Sequence, residues 1–171
     1  MSAPTPAQLA QADRRHMALC LRLARRAARL GETPIGAVLV DAAGRVLAAH
    51  GNRAISHTDP TAHAEMLVLR QAAAAMGNYR LVGSTLYVSL EPCPMCAGAI
   101  VWARVRRVVY GAADPKAGAL GSALDLSRQP GLNHRPIVEG GLLAEESAAL
   151  LREFFQSRRG KAKASPLHGE T

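Results

Sequence analysis

Apolar positions recur along the chain with two periods, and the places where the period changes mark its elements. From Ala7 to Leu30, Met17, Leu21, Ala24 and Ala28 fall at i, i+4, i+7 and i+11, one stripe of an amphipathic helix, and Gly31 stands where a left-handed residue would end it. Arg14, Arg15, Arg22, Arg25, Arg26 and Arg29 stud the rest of that surface. Ile35 to Asp41 and Arg45 to Asn52 read as strands joined through Ala42-Ala43-Gly44, the pattern of an antiparallel hairpin. Asp59-Pro60 offers an N-cap followed by proline at the first helical position, which places His63 and Glu65 in or just after a first turn. Met66, Leu69 and Ala73 continue the buried face of that helix. Thr85 to Leu90 predicts a strand, Cys93 to Arg104 a helix, Arg107 to Tyr110 a strand, Pro136 to Glu139 a short strand and Leu142 to Arg158 a closing helix.

About 25 residues, Gly111 to Arg135, separate the last two strands. They are rich in Gly, Pro and polar residues, with one short helical stretch expected at Ser122 to Leu126. So long a connection suits a crossover, and the last two strands are expected to be parallel. The strand–helix alternation after the hairpin implies a single mixed sheet of five strands with helices on both faces, a three-layer α/β/α arrangement. No repeat or interdomain linker interrupts it. Residues 1–160 read as one domain, Ser2 to Pro6 as a frayed lead-in, and 161–171, with Lys161 and Lys163, as a disordered basic tail.

At 171 residues and 49% hydrophobic composition the chain can bury a substantial core. No apolar run approaches the roughly 20 residues that cross a bilayer and the N-terminus shows no signal-peptide core, so a cytoplasmic protein is expected. A net charge of +8 points to a polyanionic partner, nucleic acid before membrane. Of three cysteines, Cys20 falls among apolar positions of the first helix and reads as a small buried hydrophobe.

The other two lie in Pro92-Cys93-Pro94-Met95-Cys96, thirty positions after His63-Ala64-Glu65. Both segments open helices that follow strands. His63, Cys93 and Cys96 make three ligands for a tetrahedral Zn²⁺, and three ligands leave a corner open to water, whereas structural zinc sites are closed by four. Glu65 stands near the metal without being needed as a ligand, which suits a proton carrier. Singly, each residue has a plainer reading: His63 as a capping or core histidine, Glu65 as a solvated first-turn acid, C-x-x-C as a redox pair. Together they spell H-x-E…P-C-x-x-C, the signature of zinc nucleobase deaminases.

The likeness extends well past the metal motif. His57-Thr58-Asp59-Pro60-Thr61-Ala62-His63-Ala64-Glu65-Met66, Asn78-Tyr79-Arg80-Leu81, Leu90 to Ala99, Val108 to Ala112, Gly121-Ser122 and Asn133-His134-Arg135 make the chain resemble the bacterial tRNA-specific adenosine deaminases, in the cytidine/deoxycytidylate deaminase superfamily, from about Met17 to Arg159. One departure is Thr58, which stands between His57 and Asp59 where the family places His directly before Asp. The resemblance implies a cytidine-deaminase-like fold, one Zn²⁺ per subunit, and conversion of the wobble adenosine of a tRNA anticodon, mainly an arginine tRNA, to inosine. By the same likeness Asn52 and Ala64 would bind the flipped base, Asp114, Lys116, Asn133 and His134 would contact neighbouring nucleotides, and the enzyme would be a homodimer on the tRNA anticodon arm. Trp102 reads as core, and Phe154 and Phe155, followed by Arg158 and Arg159, as a border to the anticodon loop with one ring packed inward. Two other readings compete: a zinc-dependent deaminase of free guanine or cytosine, and a nucleic-acid-binding module whose structural zinc takes His57 as fourth ligand.

Overall fold

The computed structural model describes residues 5–164. Five strands, β1 (Gly36–Val40), β2 (Val46–Gly51), β3 (Thr85–Leu90), β4 (Arg107–Ala112) and β5 (Ile137–Gly140), form one sheet in the order β2-β1-β3-β4-β5. β1 is antiparallel to both β2 and β3, while β3, β4 and β5 run parallel. The expected parallel pairing of the last two strands is therefore present, and β2, β3, β4 and β5 all end at the same edge.

Alternation along the strands sends side chains to two separate cores. Ala37 and Leu39 of β1, Leu86 and Val88 of β3 and Val108 of β4 pack with Val68, Leu69 and Ala72 of α2 (Ala64–Met76) and Ala97 and Ile100 of α3 (Pro94–Trp102). Val38, Val40, Tyr87 and Val109 point the other way, onto Met17 and Cys20 of α1 (Pro6–Arg29) and toward α4 (Ala144–Ala164). Strands buried on both faces and flanked by helices give the three layers expected. α1 lies so close to the hairpin that a Cβ at Gly36 would meet the Cys20 carbonyl oxygen at 2.1 Å, so only glycine permits that packing.

Several local expectations are corrected. α2 does not begin at Pro60: Asp59 closes a single turn, accepting from the Thr61 N–H at 2.8 Å and its hydroxyl at 2.7 Å, and the helix starts at Ala64 with His63 as its N-cap. Its buried face is Ala64, Glu65, Val68, Leu69 and Ala72. The stripe of α1 drifts with the 3.6-residue turn, so Ala27 rather than Ala28 is buried. Thr5 is no frayed residue: with Gln8 it forms a capping box, with Pro6 in the first turn. The helical turn expected at Ser122 to Leu126 lies at Leu126–Arg128 instead, with Asp125 accepting from the Ser127 N–H. Trp102, read as core, is 67% exposed at the end of α3. α4 continues to Ala164, beyond the point where a disordered tail was expected; residues 165–171 lie outside those described.

Candidate active site

His63 and Cys93 are the N-caps of α2 and α3, and neither side chain is spent on capping its own helix. The two helix starts converge at the carboxyl edge of the sheet, where open α/β sheets place their ligands. The His63 Nδ1 lies 3.6 Å from the Sγ of Cys93 and 3.6 Å from that of Cys96. Among the described residues these three form a group whose donor atoms all lie within 4.8 Å of one another.

Pro94 at the first position of α3 needs no N–H partner there, and the open N–H groups of that turn favour anionic sulfur. The hydrogen bond from Cys96 drives the Cys93 thiol down to about 4, against the opposing pull of burial, and Cys96, which keeps the proton, is pushed up. Two sulfurs thus compete for one proton; a dication between them lets both ionise. Two sulfurs and an imidazole nitrogen are the donors zinc prefers.

Glu65 sits one residue into α2 and is buried at 3% exposure. Burial pushes its carboxyl up to about 7. Its Oε2 has no hydrogen-bond partner among the described residues although it is shut away from solvent. A buried carboxylate oxygen left unpaired costs free energy unless something in the site uses it. The site therefore fits a zinc ion with a polar ligand beside it.

The remaining predicted residues separate into two groups. Asn52, buried just past β2, accepts from the Ala64 N–H at 2.8 Å, which fixes its amide beside His63 and leaves its Nδ2 hydrogens for another partner. The Ala64 N–H is committed to that bond. Asp114 accepts from the Lys116 and Ala117 N–H groups at 3.0 and 3.2 Å, so its carboxylate shapes its own turn, while Lys116 is exposed. Asn133 is exposed and its carbonyl oxygen takes the Arg104 guanidinium; His134 Nε2 lies 2.7 Å from the Val105 carbonyl oxygen. His57 is exposed and lies outside the His63–Cys93–Cys96 group. Of the aromatic pair, Phe154 is half-buried under the Arg158 guanidinium, and Phe155 is exposed.

Two buried acids were not singled out from the sequence. Glu32 accepts from the Ile55 and Ser56 N–H groups and the Ser56 hydroxyl, and so pins the loop that leads to α2. Glu91, between Leu90 and Pro92, accepts from the N–H groups of Asp114, Leu120 and Ser122, each at 3.0 Å, and from the Ser122 hydroxyl. It ties the 114–122 loop to the start of α3, and a Cβ at Gly118 would strike its carboxylate at 2.4 Å. The available signal was an acid inside the otherwise apolar approach to Pro92. Glu91→Ala leaves those donors unpaired and is expected to destabilise the fold by about 3 kcal/mol in denaturant titrations, with faster amide exchange across 114–122.

Residues 10–112 match the family model of the cytidine and deoxycytidylate deaminase zinc-binding region. The tRNA-specific adenosine deaminase of Haemophilus influenzae is 49% identical over 151 residues, spanning 88% of this chain and 87% of that protein. A solved structure of a tRNA:A34 deaminase, which edits A to I at the wobble position of transfer RNA, superposes with a TM-score of 0.78 at 52% identity, covering 80% of this chain and 99% of the other. The guanine deaminase of Nitrosomonas europaea superposes with a TM-score of 0.70 at 28% identity, covering 90% of this chain and 95% of that one. With a His–Cys–Cys cluster built at two helix starts and close relatives along nearly its whole length, the chain belongs to the zinc-binding cytidine and deoxycytidylate deaminase family, among its tRNA-specific adenosine deaminases.

Proposed function

We propose that the protein hydrolytically deaminates the wobble adenosine of a tRNA anticodon to inosine, using one zinc per subunit. The observation that carries this reading is the buried Glu65 Oε2, unpaired among the described residues, beside three converging metal donors, in a chain whose relatives at 49% and 52% identity are named tRNA-specific adenosine deaminases. His63 Nδ1 and the sulfurs of Cys93 and Cys96 would hold the metal. When bound, zinc supplies a hydroxide at neutral pH by lowering the pKa of a water.

The chain's own residues do the rest. Glu65 takes a proton from the attacking water and gives it to purine N1, which makes C6 electrophilic. Hydroxide adds at C6, Glu65 passes the remaining proton to the amino group, the C6–N6 bond breaks and ammonia leaves. A carboxyl raised toward neutrality both accepts and returns a proton at physiological pH. Asn52, oriented through Ala64, would donate from Nδ2 to an acceptor on the base. Asp114, Lys116, Asn133 and His134 would meet neighbouring nucleotides of the loop, where a base is already unpaired and costs little to extrude.

The test is incubation of the zinc-loaded protein with an anticodon stem-loop carrying adenosine at the wobble position, followed by nucleoside analysis, with free guanine and cytosine run in parallel. Inosine from the stem-loop is the expected result. Deamination of a free base with none of the RNA would replace this reading by that of the guanine deaminases.

The likeness further implies a homodimer. Trp102 at the end of α3, Tyr79 after α2 and Ile55 in the loop before it are each at least 60% exposed, and aromatic side chains are enriched where chains associate. Trp102→Arg is expected to convert a dimer to a monomer in light scattering at micromolar concentration.

A further inference from the structure

The six arginines of α1 are distributed in a way that the site does not use. At about 100° per residue, Arg14, Arg25, Arg29, Arg22, Arg15 and Arg26 fall in that order round the helix axis within an arc of about 120°. The arc contains no carboxylate; Asp13, the acid of this helix, points outside it to Arg107 and Tyr87. From Arg14 to Arg29 the stripe is about 22 Å long. All six side chains are exposed, and among the described residues none forms an ion pair or side-chain hydrogen bond.

Among the described residues, eight of the twelve arginines outside α1 have a side-chain partner, three of them (Arg80, Arg104 and Arg158) through a hydroxyl or backbone carbonyl oxygen. Arg45, Arg70, Arg107, Arg128 and Arg152 each pair with an acid. On α1, Arg22, Arg25, Arg26 and Arg29 stand three and four residues apart, where like charges repel. The helix dipole offsets this only in the last turn, so Arg14, Arg15 and Arg22 gain nothing from it. An uncompensated stripe of one sign is the footprint of a polyanion, and guanidinium in place of ammonium at every position suits phosphate oxygens.

The stripe begins next to the active site. A Cβ at Gly51 would lie 2.8 Å from the Leu23 carbonyl oxygen, and the next residue is Asn52, whose amide holds Ala64. Arg26 of the stripe and Arg53 line one cavity of about 240 Å³ with Leu23, Ala27 and Gly51. From there α1 runs away from the site across the sheet face opposite α2 and α3.

We propose that the arginine face of α1 is a second RNA-binding surface, which holds the sugar-phosphate backbone of the helical body of the substrate outside the loop that enters the site. The proposal rests on tRNA as substrate. Its chemistry is sequence-independent: phosphate contacts position the RNA and the loop is read at the site.

The test compares wild type with a variant carrying Arg14→Gln, Arg15→Gln, Arg22→Gln and Arg25→Gln, none of which lines the cavity shared by Arg26 and Arg53, and with the charge-preserving variant carrying Lys at the same four positions. Zinc-loaded proteins are assayed on full-length tRNA with a wobble adenosine and on the isolated stem-loop. The Gln variant is expected to raise KM for full-length tRNA at least tenfold with kcat within twofold. It should also flatten the dependence of log KM on log salt by about 3, as expected for four lost phosphate contacts. The Lys variant should keep KM within threefold, which separates lost charge from a damaged fold. An unchanged KM and salt slope, or a fall in kcat at constant KM, would overturn the proposal. So would a Gln variant that binds tRNA normally but no longer sediments with vesicles of phosphatidylglycerol, which would make the stripe a lipid surface. If wild type makes no inosine from the stem-loop, the substrate reading fails instead, and retention of tRNA by wild type against the Gln variant in a filter-binding assay still decides the stripe.

Discussion

Glu65→Gln is expected to lower inosine formation by at least about 10²- to 10⁴-fold while leaving zinc content unchanged. The magnitude is that of removing a general acid–base group. Gln keeps the shape of the side chain but cannot carry the proton from water to N1 and then to the departing amine, so both halves of the transfer are lost. The same substitution tests the structural account of this residue. Glu65 is buried with an unpaired oxygen, and burial raises its pKa, so the ionised form weighs against the fold. A neutral amide removes that penalty, and the melting temperature of the variant should not fall. A variant that unfolds, or loses zinc, would make Glu65 a structural residue or a ligand. Near-normal turnover would remove it from the chemistry.

Removing the metal is expected to have the other large effect. Chelation, or Cys96→Ala, should take zinc content to near zero and inosine formation below detection, with recovery on adding Zn²⁺ only for the chelated wild type. Stability should follow by mass action. At free zinc a thousand times its Kd the folded state gains about 4.1 kcal/mol. For a domain of this size that corresponds to roughly 8–16 °C in Tm. The gain arises because the unfolded chain does not hold His63 Nδ1 and the two sulfurs within reach of one ion, whereas the folded chain places them on two helix starts. Full activity after removal of zinc, with no change in Tm, would leave the cluster without a metal role.

These residues were legible in the sequence because their spacing is itself a geometric statement. His63 and Glu65 two apart at a helix start, and Cys93 and Cys96 three apart at another, bring together the three donors and the carboxylate proposed as ligands and proton carrier. The strands were legible for the same kind of reason: both faces of β1 and β3 are buried, and their apolar runs show it. What escaped was set by long-range partners. Asp59-Pro60 carries every local sign of a helix start, yet α2 begins at Ala64, where the Asn52 amide takes an N–H of its first turn from twelve residues upstream. Glu32 and Glu91 organise two loops through hydrogen bonds to residues more than twenty positions away, and no local pattern announces an acid that will be buried. Trp102 misled because size and apolarity predict burial in an isolated chain, and here the side chain ends a helix facing water. The arginines of α1 were visible as residues; their confinement to one arc, and their lack of partners, required the helix and its neighbours.

The account turns on a metal with three protein ligands and room for a reacting fourth. X-ray absorption at the zinc edge of the loaded protein in solution measures this directly. It is expected to show two sulfurs near 2.3 Å and two lighter scatterers near 2.0–2.1 Å, one of them histidine nitrogen and the other exchangeable. A shell closed by four protein donors, with His57 or any other side chain in the last place, would contradict it.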